Sequence, residues 1–100
     1  MTKYTYIPPN QPTTDDLILL TNNRANLKIT TLYLKDRFGV PTVKHKATDT
    51  TESGHEWVFV DKDNIPFTVY ANKGIGVVYA LDATKDLEVQ DFLFWVSNKK

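Results

Sequence analysis

Cysteine is absent from the 100 residues, which removes disulfides, thiolate nucleophiles and thiolate metal ligands together. A secreted domain of this size usually needs disulfide staples, so a reducing cytoplasm is the expected location. Serine is scarce: Ser53 and Ser97 are the only two, and neither sits in a Gly-x-Ser-x-Gly turn that would raise a nucleophile. Net charge is also missing, with 12 basic residues against 12 acidic ones. A non-specific nucleic-acid binder carries an excess of Lys and Arg to displace counterions, and a mimic of DNA carries the reverse, so the balance weighs against both. No window approaches the roughly 20 apolar residues of a membrane helix. The opening MTKYTYIPPNQPTT has no apolar core of signal-peptide length, and no Asn-x-Ser/Thr sequon occurs. These absences lead to the expectation of a soluble cytoplasmic protein without a membrane partner.

What is present is a sheet pattern. From Glu56 to Tyr79 the chain reads EWVFVDKDNIPFTVYANKGIGVVY. Three runs of β-branched and aromatic residues are separated by Asp61-Lys62-Asp63-Asn64 and by Asn72-Lys73-Gly74, the pattern of an antiparallel meander. Residues 3–7 alternate and form a candidate short strand, and Val43 to Ala47 alternates apolar with basic residues as an edge strand does. Pro8, Pro9 and Pro12 hold the intervening backbone extended.

Helix signals bracket the meander. Thr13-Thr14-Asp15-Asp16 has the hydroxyl cap and first-turn carboxylates of a helix start, with Leu17 to Leu20 following and Asn22-Asn23 as its stop. Asn26 to Thr30 fits either a strand or the run-in to the next helix. TLYLKDRFGVP, from Thr31, reads as a short helix ended by Arg37, Gly39 and Pro41. A final helix capped by Asp82 or Thr84 runs to about Ser97. At 100° per residue its Val89, Phe92, Leu93, Trp95 and Val96 form one broad apolar face. The expected fold is α+β: an extended Pro-rich arm over 1–12, then a single domain over 13–100. That domain is expected to hold a three- to five-stranded antiparallel sheet with helices packed on one face. The expected core is Leu17, Leu20, Leu32, Phe38, Trp57, Phe59, Phe67, Val69, Val77, Phe92, Trp95 and Val96.

Leu87 and Phe94 lie seven apart on the opposite side of that final helix. Either the N-terminal arm or the first helix covers them, or they form a contact surface for a partner or for a second copy. Tyr70 and Tyr79, with Lys44, Lys46 and Lys73, are the alternative candidates: stacking rings beside amines can hold a nucleotide or single-stranded nucleic acid. Such aromatics also occur as ordinary half-buried sheet residues. The two histidines, His45 and His55, share a facing position only if their strands pair in the right register, and two solvated surface histidines is the favoured reading. Asp61-Lys62-Asp63-Asn64 opens like a calcium loop, but Pro66 stands where Gly must turn and Asn72 where a bidentate Glu is required. Asn72 to Gly76 lacks the Lys-Ser/Thr ending and following helix of a phosphate loop. No metal or cofactor is expected, and no catalytic set emerges.

Two segments, TLYLKDRFGVP and EWVFVDKDNIPFTVYANK, resemble a pattern in small bacteriophage-encoded proteins of unknown role. In these a short helix ending in Phe-Gly-x-Pro precedes a tryptophan-led strand, a turn rich in Asp, Asn or Gly, and a strand carrying Thr-x-Tyr. A more distant similarity is to small lipoproteins of outer-membrane assembly, from which this chain departs in having no lipid-bearing cysteine. Neither comparison transfers a functional residue. The phage resemblance implies a non-enzymatic accessory factor that inhibits or redirects a host or defence protein.

Overall fold

The computed structural model describes residues 3–9, 22–45, 54–72 and 74–98. Six strands and two helices occur among them. In chain order they are β1 (Tyr4–Ile7), β2 (Asn22–Lys28), α1 (Thr31–Phe38), β3 (Val43–His45), β4 (Gly54–Asp61), β5 (Pro66–Asn72), β6 (Ile75–Ala80) and α2 (Asp86–Ser97). The expected meander is present as β4, β5 and β6, which pair antiparallel through Trp57↔Val69 and Val69↔Val78. The turn between β4 and β5 is closed by Asp61, whose Oδ1 accepts from the backbone N–H groups of Asp63 at 2.8 Å and Ile65 at 2.9 Å. Asn64 takes up the positive φ of 62° that the turn requires.

The single small α+β domain is as expected, but the sheet is wider than three to five strands. Each edge includes a strand distant in sequence, β1 on one side and β2 on the other. β1 pairs with β4 from Tyr4↔Asp61 to Ile7↔Val58, and β3 occupies the remainder of the same edge from Val43↔Glu56 to His45↔Gly54. β2 closes the other edge against β6, from Asn22↔Ala80 to Lys28↔Ile75. Asn22 and Asn23, read from sequence as a helix stop, therefore begin a strand, and the ambiguous stretch up to Lys28 completes it.

Between β1 and β3 the edge of β4 has a gap, and Thr42 fills it. Its hydroxyl donates to the Ile7 carbonyl at 2.5 Å and accepts from the Val58 N–H at 3.0 Å. One side chain thus stands in for a missing ladder bond and ties the two short strands together.

α1 forms where its signals predict. Thr30 Oγ1 caps the Tyr33 N–H at 3.0 Å, and Gly39, at φ 94°, returns its N–H to the Lys35 carbonyl. Leu34 is its buried residue, whereas Leu32, expected in the core, is 68% exposed. An eight-residue helix has room for one inward stripe, and the Leu34 side of this helix takes it. α2 begins later than expected. Asp82 accepts from the Asn22 side chain at 2.7 Å instead of capping, and Thr84 is buried with a hydroxyl that makes no hydrogen bond among the described residues. Lys85 stands at the N-cap, where Glu88 Oε1 accepts its backbone N–H at 3.4 Å.

The core combines aromatic and aliphatic side chains. Leu34 of α1 and Val89, Phe92 and Val96 of α2 join Tyr4, Trp57, Phe59, Phe67, Val69 and Val78 in one cluster. Phe67 and Phe92 stack with centroids 4.7 Å apart, and Tyr4 meets both rings edge-on. Phe38 and Trp95 are half-buried against the cluster. Val77 departs from expectation: it pairs with Tyr70 and so belongs to the other face of the sheet. Leu17 and Leu20 lie outside the described residues.

Arg37 secures the C-terminal end of α2. Its Nη1 donates to the carbonyls of Val96 at 2.9 Å and Asn98 at 2.7 Å and to the Tyr33 hydroxyl at 2.9 Å, while Tyr33 itself donates to Val96. A cation here satisfies the unpaired carbonyls at the negative end of the helix dipole, and the guanidinium also lies over the Phe38 and Trp95 rings.

Candidate functional site

Alternation along β4, β5 and β6 sorts the candidate residues by face. One face carries Trp57, Phe59, Phe67, Val69 and Val78 into the core. The other carries Glu56, Val58, Thr68, Tyr70, Val77 and Tyr79. Glu56 is directly across from Tyr70, and Tyr79 is diagonal to it on the next strand. Burial, then the Glu56 carboxylate, then Tyr70 push the Tyr79 hydroxyl upward in pKa. The Tyr70 ring lies over Gly54, where a Cβ would collide with its hydroxyl end, so glycine is what lets the ring lie flat on the strand.

Tyr70 and Tyr79 are therefore brought together, but beside a carboxylate buried to 5% exposure. Lys44 is not part of that group. It pairs with His55, one position out of phase with Glu56, which places it on the core-side face at the sheet edge. Lys46 and Lys73 lie outside the described residues. The same register separates the histidines: Lys44, not His45, is opposite His55.

Leu87 and Phe94 are 75% and 73% exposed. Three residues of the same helix, Val89, Phe92 and Val96, are fully buried on its opposite side. Among the described N-terminal residues, β1 is engaged at the edge of β4, and Lys3 reaches Asp91 on the exposed side of α2. Leu93, Gln90 and Ser97 border Phe94 around a shallow depression.

A cavity of about 410 Å³ opens where β1, the β4–β5 turn and α2 converge. Its floor is formed by Tyr4 and Phe67. Four carboxylates stand around it, Asp61 and Asp63 from the turn and Glu88 and Asp91 from α2, against the amines of Lys3 and Lys62. Burial, then Asp91, Asp61 and Glu88 push the Tyr4 hydroxyl up to about 12. The lining spans 3 to 91 in sequence and comes from separate elements, so no local motif announces it. The signal available in sequence is only the acids of α2, Glu88 and Asp91, and those of the turn, Asp61 and Asp63.

Comparison with known proteins finds no matching family model, no matching curated protein and no matching solved structure.

Proposed function

We propose that the chain is a non-enzymatic protein-binding module whose contact surface is the outer face of α2. One observation carries this reading: two large apolar side chains, Leu87 and Phe94, stand more than 70% exposed on a helix that is otherwise sorted cleanly by burial. Exposed apolar pairs on an ordered helix favour contact with another protein, and aromatic residues dominate such contacts. The zero net charge fits a surface that recognises by shape and apolar contact rather than by long-range attraction. A host or defence protein as the partner class rests on the resemblance to phage-encoded proteins alone, as does a phage origin.

The test compares the wild type with Leu87→Ser and Phe94→Ser as baits in a bacterial lysate, with circular dichroism to verify the fold. The expected outcome is a protein enriched by the wild type and lost with both variants. Equal enrichment by wild type and variants overturns the assignment to this face.

A further inference from the structure

We infer that residues 10–21, which lie outside the described residues, cross the sheet on the face opposite α1 and α2 and cover its centre at Val58 and Thr68. The burial of the central strands calls for such a cover. An antiparallel sheet with one face in water alternates buried and exposed side chains. Here burial is unbroken from Glu56 to Val60 on β4 and from Pro66 to Val69 on β5. Val58 and Thr68, on the face away from the core, are both 0% exposed. The buried side chains of α1 and α2 all join the core cluster on the other face, which includes neither residue. No described helix therefore accounts for their burial.

The connection from β1 to β2 leads across that spot. The two strands run parallel, because β1 and β5 both pair antiparallel with β4, and β5 and β2 both with β6. β1 ends at Ile7 and β2 begins at Asn22, at opposite edges of the sheet. One row of paired residues joins these ends: Ile7↔Val58, Val58↔Thr68, Thr68↔Tyr79 and Tyr79↔Asn23. The row spans four interstrand steps, about 19 Å, which residues 10–21 reach with ease at about 3.3 Å each when extended. A chain on the direct path lies over Val58 and Thr68. The segment also brings Leu17, Ile18, Leu19 and Leu20, side chains stabilised by burial against such a face.

Handedness selects the face. Parallel strands of one sheet are joined by right-handed crossovers almost without exception. The Val58 N–H points to Thr42, at the β1 edge of β4. For an L-residue this fixes the view: seen from the Val58 side with β1 pointing up, β1 is at the left edge and β2 at the right. A connection in front of that face is right-handed, and one across the core face is left-handed. The link from β2 through α1 to β3, again between parallel strands, is right-handed on the core side, where Leu34 is buried. With the crossover in place, the centre of the face that carries Tyr70 and Tyr79 is interior to the fold, which removes it as a platform for stacked bases.

The inference is independent of the function proposed for the outer face of α2. Nuclear magnetic resonance on the methyl-labelled full chain tests it. Overhauser contacts are expected from at least one of the Leu17 to Leu20 methyls to the methyls of Val58 or Thr68. A soluble gadolinium chelate should leave the Val58 and Thr68 methyls as protected as those of Val69 in the core. Replacing Leu17→Ser and Leu20→Ser together should raise the relaxation of Val58 and Thr68 by the chelate several-fold, while Val69 stays protected. If the double variant unfolds, the wild-type contacts decide alone. Contacts from Leu17 to Leu20 to Val69, Val78 or Val89 would place the crossover on the core side and overturn the inference. Contacts of Val58 with Ala47 instead, contacts between labelled and unlabelled chains in a mixed sample, or no contact at all would overturn it too. So would a folded double variant in which Val58 and Thr68 remain protected.

Discussion

At the scale of single residues, Tyr4 is the most perturbed group described. Its hydroxyl titrates at about 12 in the folded chain against 10.0 in the absence of the fold. The folded state therefore holds the phenolic proton more tightly than the unfolded state. The stabilisation linked to it is fully present below pH 10 and is lost as pH rises through 10 towards 12. Urea melts across that window should show stability falling with pH, and Tyr4→Phe should flatten the decline. Part of the slope will remain, since burial also raises Tyr6 and Tyr79. An unchanged slope in Tyr4→Phe would contradict the burial of this hydroxyl. Residue-level reading from sequence was uneven for a physical reason. Trp57, Phe59, Phe67 and Phe92 were legible as core because large apolar groups in periodic runs have few other places to go. Leu32 and Val77 were not, because which face an element turns inward is set by its neighbours. In sequence Tyr4 is one aromatic among several, and its burial follows from the pairing of β1 with β4.

At the scale of elements, the plug between β1 and β3 gives a sharp test. Thr42→Val keeps the shape at that position and removes both hydrogen bonds, leaving the Val58 N–H and the Ile7 carbonyl unpaired at a site that is nearly closed to solvent. The cost should be about 2–4 kcal/mol by chemical denaturation, whereas Thr42→Ser should recover most of it. Amide exchange in Val58 should accelerate in the valine variant beyond the change in global stability. Elements with local punctuation are legible in the sequence: α1 between Thr30 and Gly39, and the turn at Asn64. β2 was missed as a full strand because Asn22 to Asn26 is polar and carries a register shift between Asn23 and Ala25. It earns its conformation from pairing with β6 rather than from its own propensity. The start of α2 was displaced because Asp82 is engaged by Asn22, a contact 60 residues distant that no local rule contains.

At the scale of the whole molecule, the two sides of α2 should respond in opposite ways. Phe92→Ala opens a cavity in the aromatic cluster and should cost about 3–5 kcal/mol. Phe94→Ser should change stability by less than about 0.5 kcal/mol, because its side chain is already in water. A second copy is the other occupant such a face accepts, since in a twofold pair the same patch serves both chains. In a twofold pair these two apolar residues, flanked by Gln90, Asp91 and Ser97, would have to serve both sides of the interface, which favours a foreign partner over a second copy. Light scattering should accordingly find a monomer across the micromolar range, and a Phe94-dependent dimer there would transfer the face from a foreign partner to self-association.

The strand order has a kinetic consequence. The centre of the sheet, β4 to β6, is joined by short local turns, while β1 and β2 reach their places only by spanning most of the chain, as in Tyr4↔Asp61 and Asn22↔Ala80. Loop closure of that length is favourable only after a template exists. The first half of the chain thus emerges during synthesis before the surface it must pair with. Refolding should be slowed by Asn64→Val, which strains the hairpin turn at its positive φ. Thr5→Gly, at the late-joining edge, should instead act mainly on the unfolding rate.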